Sequence, residues 1–433
     1  MIIPTFSPFS SSEVEELPHA LLASQVTEKK LKNGLTVLVK EVYPASVVCI
    51  SVWTGIGSVY ENDHICGISH FIEHMLFKGT ETRPVGKIAQ EIHSLGGYIN
   101  GFTSYACTCY WIVLPSRYFS TATDIMADAL IHPLFNPEEI KKEREVIIEE
   151  IKMYQDRPES FCFERLMGLA YKNHRARRPI TGYEEVVAKL STRELIEFYR
   201  NYYVPDNMAI VVVGDVKIKR ALKVMEESFG FMESGENTKD LSPDEPPQDG
   251  ARSAQYRGDI GTSYFYTGFH VGGITSPDMC ACDLLASILG EGRSSRLHQG
   301  LREKKALVTS IDASILALKD TGLFIIEAVM NEKNIEDSRI EVGKEILRIQ
   351  ADGVLPHELK KAKNMVESSY IFSQETVEGL CRKLGYYEMI GDFTLVDQYV
   401  RGLYAVTEEE VKAAARKYLV EQNRSEVVYL PGG

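Results

Sequence analysis

The sequence has little that would tie it to a membrane, to export or to a cysteine-based site. No run of about 18 apolar residues occurs, which argues against a membrane-spanning segment. Residues 1–25 lack a basic start followed by an apolar stretch and lack an Arg-rich amphipathic pattern, so no signal or transit peptide is predicted. None of the 8 cysteines stands in a C-x-x-C pair, and most lie in apolar surroundings. We therefore expect reduced core cysteines and a cytoplasmic protein.

Acidic residues outnumber basic ones. The formal net charge is −13, from 61 acidic and 48 basic side chains. This balance disfavours nucleic acid or an anionic membrane as a partner and is compatible with basic peptides. The length of 433 residues suggests two to four domains, and a hydrophobic content of 44% is ordinary for a globular protein.

What the sequence does have is an H-x-x-E-H motif at residues 70–74, the inverted form of a zinc-protease signature. It lies in an apolar segment, residues 66–77, that is predicted to be a helix. Residues four apart share one helix face, so His70 and His74 can bind one metal ion. Glu73 lies beside them, where its carboxylate can take a proton from a metal-bound water. Zinc suits this pair because it accepts imidazole and carboxylate and leaves a position for water. Chance occurrence is the alternative, but a Glu on an apolar helix is costly to bury without a partner.

A catalytic zinc site usually has a third protein ligand. The best helix to search is predicted at about 137–154. One of its stripes is apolar except for Glu143 and Glu150, whereas Glu149 lies on a stripe that is charged throughout. Glu150 is therefore the candidate third ligand, and Glu143 can hydrogen-bond a ligand or the substrate. A surface helix with ion pairs is the alternative, above all for Glu143.

With these residues in place, the chain resembles the M16 family of zinc metalloproteases (pitrilysin, insulinase and mitochondrial processing peptidase) in its half-length form. In that family a Glu ligand follows the second His of the motif at a set distance along the chain, and the spacing from His74 to Glu150 matches it. The resemblance implies that His70, His74 and Glu150 bind zinc and that Glu73 is the general base. Glu143, two helical turns before the ligand, matches the family's accessory acid.

An internal repeat indicates two copies of one fold. Residues 190–213 align with 406–429 without a gap, at an offset of 216, and Asn207 meets Asn423. A matched helix and strand at the end of each half is what domain duplication leaves, with chance similarity as the alternative. The predicted fold class is α+β, with two homologous domains, each an antiparallel sheet with helices mainly on one face.

The chain is divided accordingly. Residues 1–25 form an N-terminal arm and 26–232 the zinc-binding peptidase domain. Residues 233–252, rich in Pro, Asp, Glu, Ser and Gly, form a linker. Residues 253–433 form a homologous domain without metal, since no H-x-x-E-H occurs there. Its first strand is predicted at 263–271.

Substrate contacts are expected on an edge strand. Residues 97–111 alternate and are rich in Thr and aromatics, which predicts a strand pair. In the resembling family the segment G-G-x-x-N-A-x-T forms an edge strand near the zinc, and Gly101 stands here in place of the Ala. A peptide can extend such an edge by main-chain pairing. Asn100 and Thr103 are therefore candidate substrate-binding residues, with ordinary polar strand residues as the alternative.

The second half carries part of a further family feature. Active members often have an Arg and, a short distance further along the chain, a Tyr that contact substrate opposite the zinc. Arg302 fits the Arg, but Thr309 occupies the Tyr position. This favours a dimer, either with a second copy or with a related chain that brings the Arg/Tyr pair. A solvated Arg302 in a charged run is the alternative.

The predicted function is a zinc-dependent endopeptidase that cuts unstructured peptides, with Glu73 as general base. One alternative is a non-catalytic core or assembly subunit, which need not keep all of His70, Glu73, His74 and Glu150. Another is a metal-dependent hydrolase of a small molecule. The edge strand favours a peptide substrate.

Overall fold

Two sheets, one in each half of the chain, organise the structure. The computed structural model describes residues 22–44, 46–235, 239 and 241–432. The predicted arm, residues 1–25, therefore lies almost entirely outside the described residues. The elements of the first half are, in chain order, β1 Thr27–Lys30, β2 Thr36–Glu41, β3 Val47–Thr54, α1 Ile68–Met75, α2 Lys87–Ser94, β4 Tyr98–Thr103, β5 Thr108–Pro115, α3 Phe119–Ile131, α4 Pro137–Asp156, α5 Pro158–Ala170, α6 Glu184–Val187, α7 Thr192–Tyr202, β6 Met208–Gly214 and α8 Ile218–Phe229.

The second half repeats this order with small changes. Its elements are β7 Arg252–Gly258, β8 Ser263–Gly272, α9 Met279–Leu289, a π-helical segment His298–Lys304, β9 Val308–Ala317, β10 Thr321–Met330, α10 Ile335–Asp352, α11 Pro356–Phe372, α12 Val377–Ile390, α13 Leu395–Ala405, α14 Glu408–Tyr418 and β11 Arg424–Pro431. The strand β7 was not predicted, because it contains Arg, Gln and Gly and lacks the alternation of apolar and polar residues that predicts a strand. In the structure its residues alternate between half-buried and exposed. The predicted linker therefore ends where β7 begins.

Strand order is the same in the two sheets apart from β1, which extends one edge of the first sheet. The first sheet runs β1-β2-β6-β3-β5-β4 and the second β7-β11-β8-β10-β9. Each contains one parallel pair, β2 with β6 and β7 with β11, and the other pairs are antiparallel. The α+β class with two related domains is confirmed. The sheets are mixed because β6 reaches β2 only after a long helical crossover, which parallel pairing requires.

The sequence offset of 216 between the two copies also relates elements outside the segment in which the repeat was found. The same offset relates the start of α10 to that of α3, the end of α11 to that of α4, and both ends of α14 to those of α7. The local hydrogen bonds also repeat, since Asn207 Nδ2 donates to Tyr202 O and Asn423 Nδ2 to Tyr418 O, both at 2.8 Å. Domain duplication therefore explains the whole course of the second half.

Each sheet has its own helices on one face and a helix from the other half on the opposite face. The helix α12 packs on the first sheet, where Cys381 and Leu384 join a core cluster with Trp53. The helix α5 packs on the second sheet, where Leu166 joins a cluster with Leu323. The two halves are thus interlocked.

All 8 cysteines are free. Within the described residues, none of the helices has the length and apolar character needed to cross a bilayer.

Candidate metal centre

The helix α1 holds the motif and is fixed at its N-terminus by a buried carboxylate. Glu61, which is fully buried, accepts hydrogen bonds from the backbone N–H groups of Gly67 (2.7 Å) and Ser69 (2.9 Å). These are among the N–H groups that a helix leaves without partners in its first turn. Gly67 has φ +94°, and a Cβ there would lie 2.6 Å from Thr181 O, so the sharp entry into α1 requires glycine.

The three predicted ligands come together. Glu150 Oε2 lies 3.4 Å from His74 Nε2 and 3.8 Å from His70 Nε2, and one ligand atom from each residue falls within 4.8 Å of the others. In a tetrahedral zinc site with bonds of about 2.0–2.1 Å, neighbouring ligand atoms are roughly 3.3 Å apart. The donor set and these separations fit zinc. Within the described residues, no other cluster of His, Cys, Asp or Glu offers such a set.

Electrostatics at the imidazoles follow from burial and from the neighbouring carboxylates. Burial, with the adjacent His74, lowers the pKa of His70 to about 4. Burial also acts against a charged His74, but hydrogen bonds with Glu150 and Glu143 outweigh it and raise the pKa of His74. The hydrogen bond with His74 lowers the pKa of Glu150, so this carboxyl is ionised at neutral pH. His70 is neutral there, with its lone pair available to a metal.

Glu143 lies behind His74 rather than in the cavity. Its Oε2 is 3.2 Å from His74 Nδ1, and its Oε1 is 2.5 Å from Lys78 Nζ. The contact to His74 fixes which ring nitrogen faces Glu150, which is the usual arrangement behind a ligating His. Of the two predicted partners of Glu143, the structure shows the contact with His74, a candidate metal ligand.

Glu73 lines the cavity described below, and its carboxylate is hydrogen-bonded to a residue of the first sheet. Its Oε2 accepts a hydrogen bond from Thr103 Oγ1 at 3.0 Å. A Cβ on Gly101 would come within 3.1 Å of Glu73 Oε1, so the absence of a side chain there leaves room for this carboxylate. Desolvation raises the pKa of Glu73. Thr103 was predicted to bind substrate, and in the structure its hydroxyl is directed to Glu73.

The strand β4 is at a free edge of the first sheet, as predicted for the substrate-binding strand. Asn100 is exposed on it, and its Oδ1 accepts a hydrogen bond from the N–H of Gly101 at 2.9 Å. The side chain is therefore turned along its own strand. Its contact with a substrate stays a prediction.

A cavity of about 630 Å³ opens in front of these groups and is lined by both halves. Tyr266 and Glu327 come from the second sheet, and Glu159 and Glu164 come from α5. Sequence reasoning missed all four. The two α5 carboxylates could have been considered because they lie in the helix that directly follows the one with Glu150, but only the fold brings Glu327 to the same wall.

Arg302 and Thr309 are not among the residues that line this cavity. Arg302 is exposed on the π-helical segment, where its Nη1 lies 2.9 Å from His298 Nε2. Thr309 is exposed on β9. Both side chains are therefore accessible from outside the chain, and their role toward substrate stays a prediction.

Fold and site together define a two-domain protein with a zinc-type His–His–Glu centre in its first half. The model of the family described as insulinase (peptidase family M16) matches residues 36–184, and that described as peptidase M16 inactive domain matches residues 189–366. These matches cover most of the sequence. The chain belongs to peptidase family M16.

Relatives carry the same zinc assignment in their names. A Bacillus subtilis protein named uncharacterized zinc protease YmxG is 30% identical over 391 residues, which span 90% of this chain and 95% of that protein. A Rickettsia felis protein named uncharacterized zinc protease is 29% identical over 401 residues, spanning 92% of this chain and 96% of its own. The crystal structure of a protease from Helicobacter pylori aligns with a TM-score of 0.89 and 24% identity, covering 94% of this chain and 99% of its own. Zinc is the cofactor that these names and the donor set indicate.

Proposed function

We propose that this chain is a zinc-dependent endopeptidase that hydrolyses extended peptides, with Glu73 as general base. The observation that carries the proposal is the position of Glu73. Its half-buried carboxylate lies next to the His70–His74–Glu150 cluster, in a cavity beside the free edge of β4. Desolvation disfavours the charged form of this carboxylate, and a family member that had lost activity would have no reason to keep it there.

Each residue of the site has a separate role in the proposed reaction. His70, His74 and Glu150 would hold zinc, which when bound supplies Lewis-acid polarisation of a carbonyl and lowers the pKa of water toward about 7. Glu73 takes the proton of the attacking water and delivers it to the leaving nitrogen, since desolvation holds its pKa above the usual range. Glu143 keeps the His74 ring in place.

Substrate binding would use the sheet edge and the far wall of the cavity. An extended peptide adds a strand to β4 through main-chain hydrogen bonds, which tolerate many side chains. Beyond the metal centre, Glu159, Glu164 and Glu327 line the wall, and no Lys or Arg does so within the described residues. This wall favours a basic side chain in the peptide, because its three carboxylates attract a cation and no basic residue on the wall offsets them.

A dimer is part of the proposal. The exposed Arg302 and the short Thr309 leave the contacts opposite the zinc incomplete in one chain. A related M16 chain with an Arg/Tyr pair would complete them, and a second copy of this chain would bring only the Arg.

The test uses wild type and Glu73→Gln, each purified alone, with zinc content measured beside hydrolysis of a quenched peptide library. We expect zinc in both proteins and hydrolysis only in wild type, alone or after addition of a related chain with the Arg/Tyr pair. Full activity of wild type alone would remove the need for a heterodimer. Equal activity of the two proteins would contradict the role of Glu73. Zinc without activity under any pairing would favour the rival, a non-catalytic subunit.

A further inference from the structure

A second cavity, of about 320 Å³, lies in the metal-free half between α10 and the second sheet. It shares no lining residue with the cavity at His70. Its volume is in the range of small-molecule sites, which begin at about 300 Å³. Leu347, which is 63% exposed, lies at the mouth. Buried apolar residues form the wall, namely Phe265, Phe269, Val342, Ile346 and Leu419.

The duplication shows how this space arises. By the offset that relates the two halves, Val342 and Gly343 are equivalent to Met126 and Ala127, which are buried in the core of the first half. Both residues of the second half are smaller, and a Cβ added to Gly343 would meet nothing within 4 Å. The second copy therefore lacks the side-chain volume that fills this position in the first, and protein cores tolerate such voids only at a cost in stability.

Polar residues also replace apolar ones around the cavity. By the same offset, Arg424 and Glu426 are equivalent to Met208 and Ile210. In the sheets, Glu426 lies opposite Thr267, just as Ile210 lies opposite Val52. Three apolar core positions of the first half are thus Thr, Arg and Glu in the second. A buried polar group is costly unless it has a hydrogen-bond partner, so Thr267, Arg424 and Glu426 each need partners here.

Two of these polar side chains have a buried atom without a hydrogen-bond partner among the described residues. Thr267 is 2% exposed, and its Oγ1 has no hydrogen-bond partner among the described residues. The same is true of Arg424 Nε. The other Arg424 nitrogens are used, since Nη1 donates to Glu426 (3.0 Å) and Nη2 to Glu421 (2.7 Å). Both atoms can donate, so a ligand that satisfies them must offer an acceptor.

The Arg424 donor favours an anionic acceptor, because a hydrogen bond from a guanidinium N–H is stronger to an ionised oxygen than to a neutral one. Arg339 and Arg424 both pair with Glu426, whose side chain is buried. Their other partners, Glu336 and Glu421, have side chains 69% and 67% exposed. Solvent screens exposed partners strongly. Two guanidinium groups and two carboxylates thus line the cavity, and the exposed Glu421 offsets less of the positive charge than the buried Glu426 does.

We propose that this cavity binds a monocarboxylate with an apolar chain. The carboxylate accepts hydrogen bonds from Thr267 Oγ1 and Arg424 Nε, and the chain lies along Phe265, Phe269 and Val342. Two sources share this chemistry, a free fatty acid and the C-terminal residue of a peptide. The site is separate from the metal centre and does not rest on peptidase activity.

The test is isothermal titration calorimetry on the whole 433-residue chain, loaded with zinc. Octanoate, octan-1-ol and octylamine have the same apolar chain and differ in the head group. We expect heat of binding for octanoate, at least about tenfold weaker binding for the alcohol and none for the amine. The dipeptide Gly-Leu and its C-terminal amide test the peptide source. Binding of the dipeptide but not of its amide, with none of octanoate, would assign the site to peptide termini.

Variants taken from the first half test the site itself. Thr267→Val should weaken octanoate binding about tenfold, since it removes a hydrogen bond to a charged group. Val342→Met restores the first-half residue, keeps both donors and should block binding by filling the space. The unfolding temperature and zinc content of each variant report its integrity, whether or not the chain cleaves peptides.

The proposal is overturned if neither octanoate nor the dipeptide binds wild type, if the three head groups bind alike, or if Val342→Met binds as wild type does. If Thr267→Val does not fold, Val342→Met decides the outcome.

Discussion

Thr103 Oγ1 donates a 3.0 Å hydrogen bond to Glu73 Oε2, and this bond joins the edge strand β4 to the metal helix α1. The strand that is proposed to bind the peptide therefore also holds the proposed general base. Since Glu73 is only half-buried on α1, a partner on β4 is what fixes the direction of its carboxylate.

The first prediction concerns this bond. Thr103→Val keeps the side-chain shape and removes the donor, so Glu73 loses its anchor. We expect kcat/KM for a peptide to fall about tenfold, with zinc content unchanged, because a hydrogen bond to a charged group contributes about 1.5–3 kcal/mol. Steady-state kinetics with metal analysis check this. Thr103→Ser, which retains the hydroxyl, is the matched control, and a Val variant as active as the Ser variant would contradict the prediction.

The second prediction separates two adjacent carboxylates on α4. Glu150 lies within 3.4 Å of His74 Nε2, whereas the Glu149 side chain is 74% exposed and pairs with Lys152 at 2.9 Å. Glu150→Gln should lower zinc affinity by about 100-fold or more, since it removes an anionic ligand. Glu149→Gln should bind zinc as wild type does. Competition with a chelator measures both affinities, and equal affinities would exclude Glu150 as a ligand.

The third prediction concerns the acidic wall. Glu164→Gln and Glu327→Gln should each lower kcat/KM at least about tenfold for peptides with Lys or Arg next to the cleaved bond, because a desolvated cation loses a partner. Peptides with norleucine at that position should be cleaved equally by both variants and by wild type. Losses that are the same for the two peptide sets would show that the wall does not select basic side chains.

The fourth prediction tests the interlocked halves. A Cβ on Gly385 of α12 would lie 2.0 Å from Trp53 Nε1 in the first sheet. Gly385→Ala should lower the free energy of unfolding by about 1–3 kcal/mol through overpacking. Gly343→Ala, on a helix where a Cβ meets nothing within 4 Å, should be neutral or slightly stabilising. Urea unfolding compares the two, and equal stabilities would mean that α12 can move away from the sheet without cost.

The metal centre could be predicted from the sequence because its residues obey local rules. His70 and His74 are four apart on one helix, and the apolar stripe of α4 set Glu150 apart from Glu149. The duplication was likewise visible, because residues of the helix–strand junction such as Asn207 and Asn423 make the same local contacts in each copy. The unpredicted β7 shows the limit, since an edge strand with one exposed face needs few apolar residues.

What the sequence by itself determined, therefore, is the donor set of the candidate metal centre and the presence of two related halves, since both can be read from residue spacings along the chain. Only the tertiary structure decided what surrounds the site. The contact of Thr103 with Glu73, the arrival of Glu327 at the cavity wall and the packing of α12 on the first sheet each join residues distant in the chain. Such contacts arise because a helix of each half packs on the sheet of the other half. No local sequence periodicity predicts that packing.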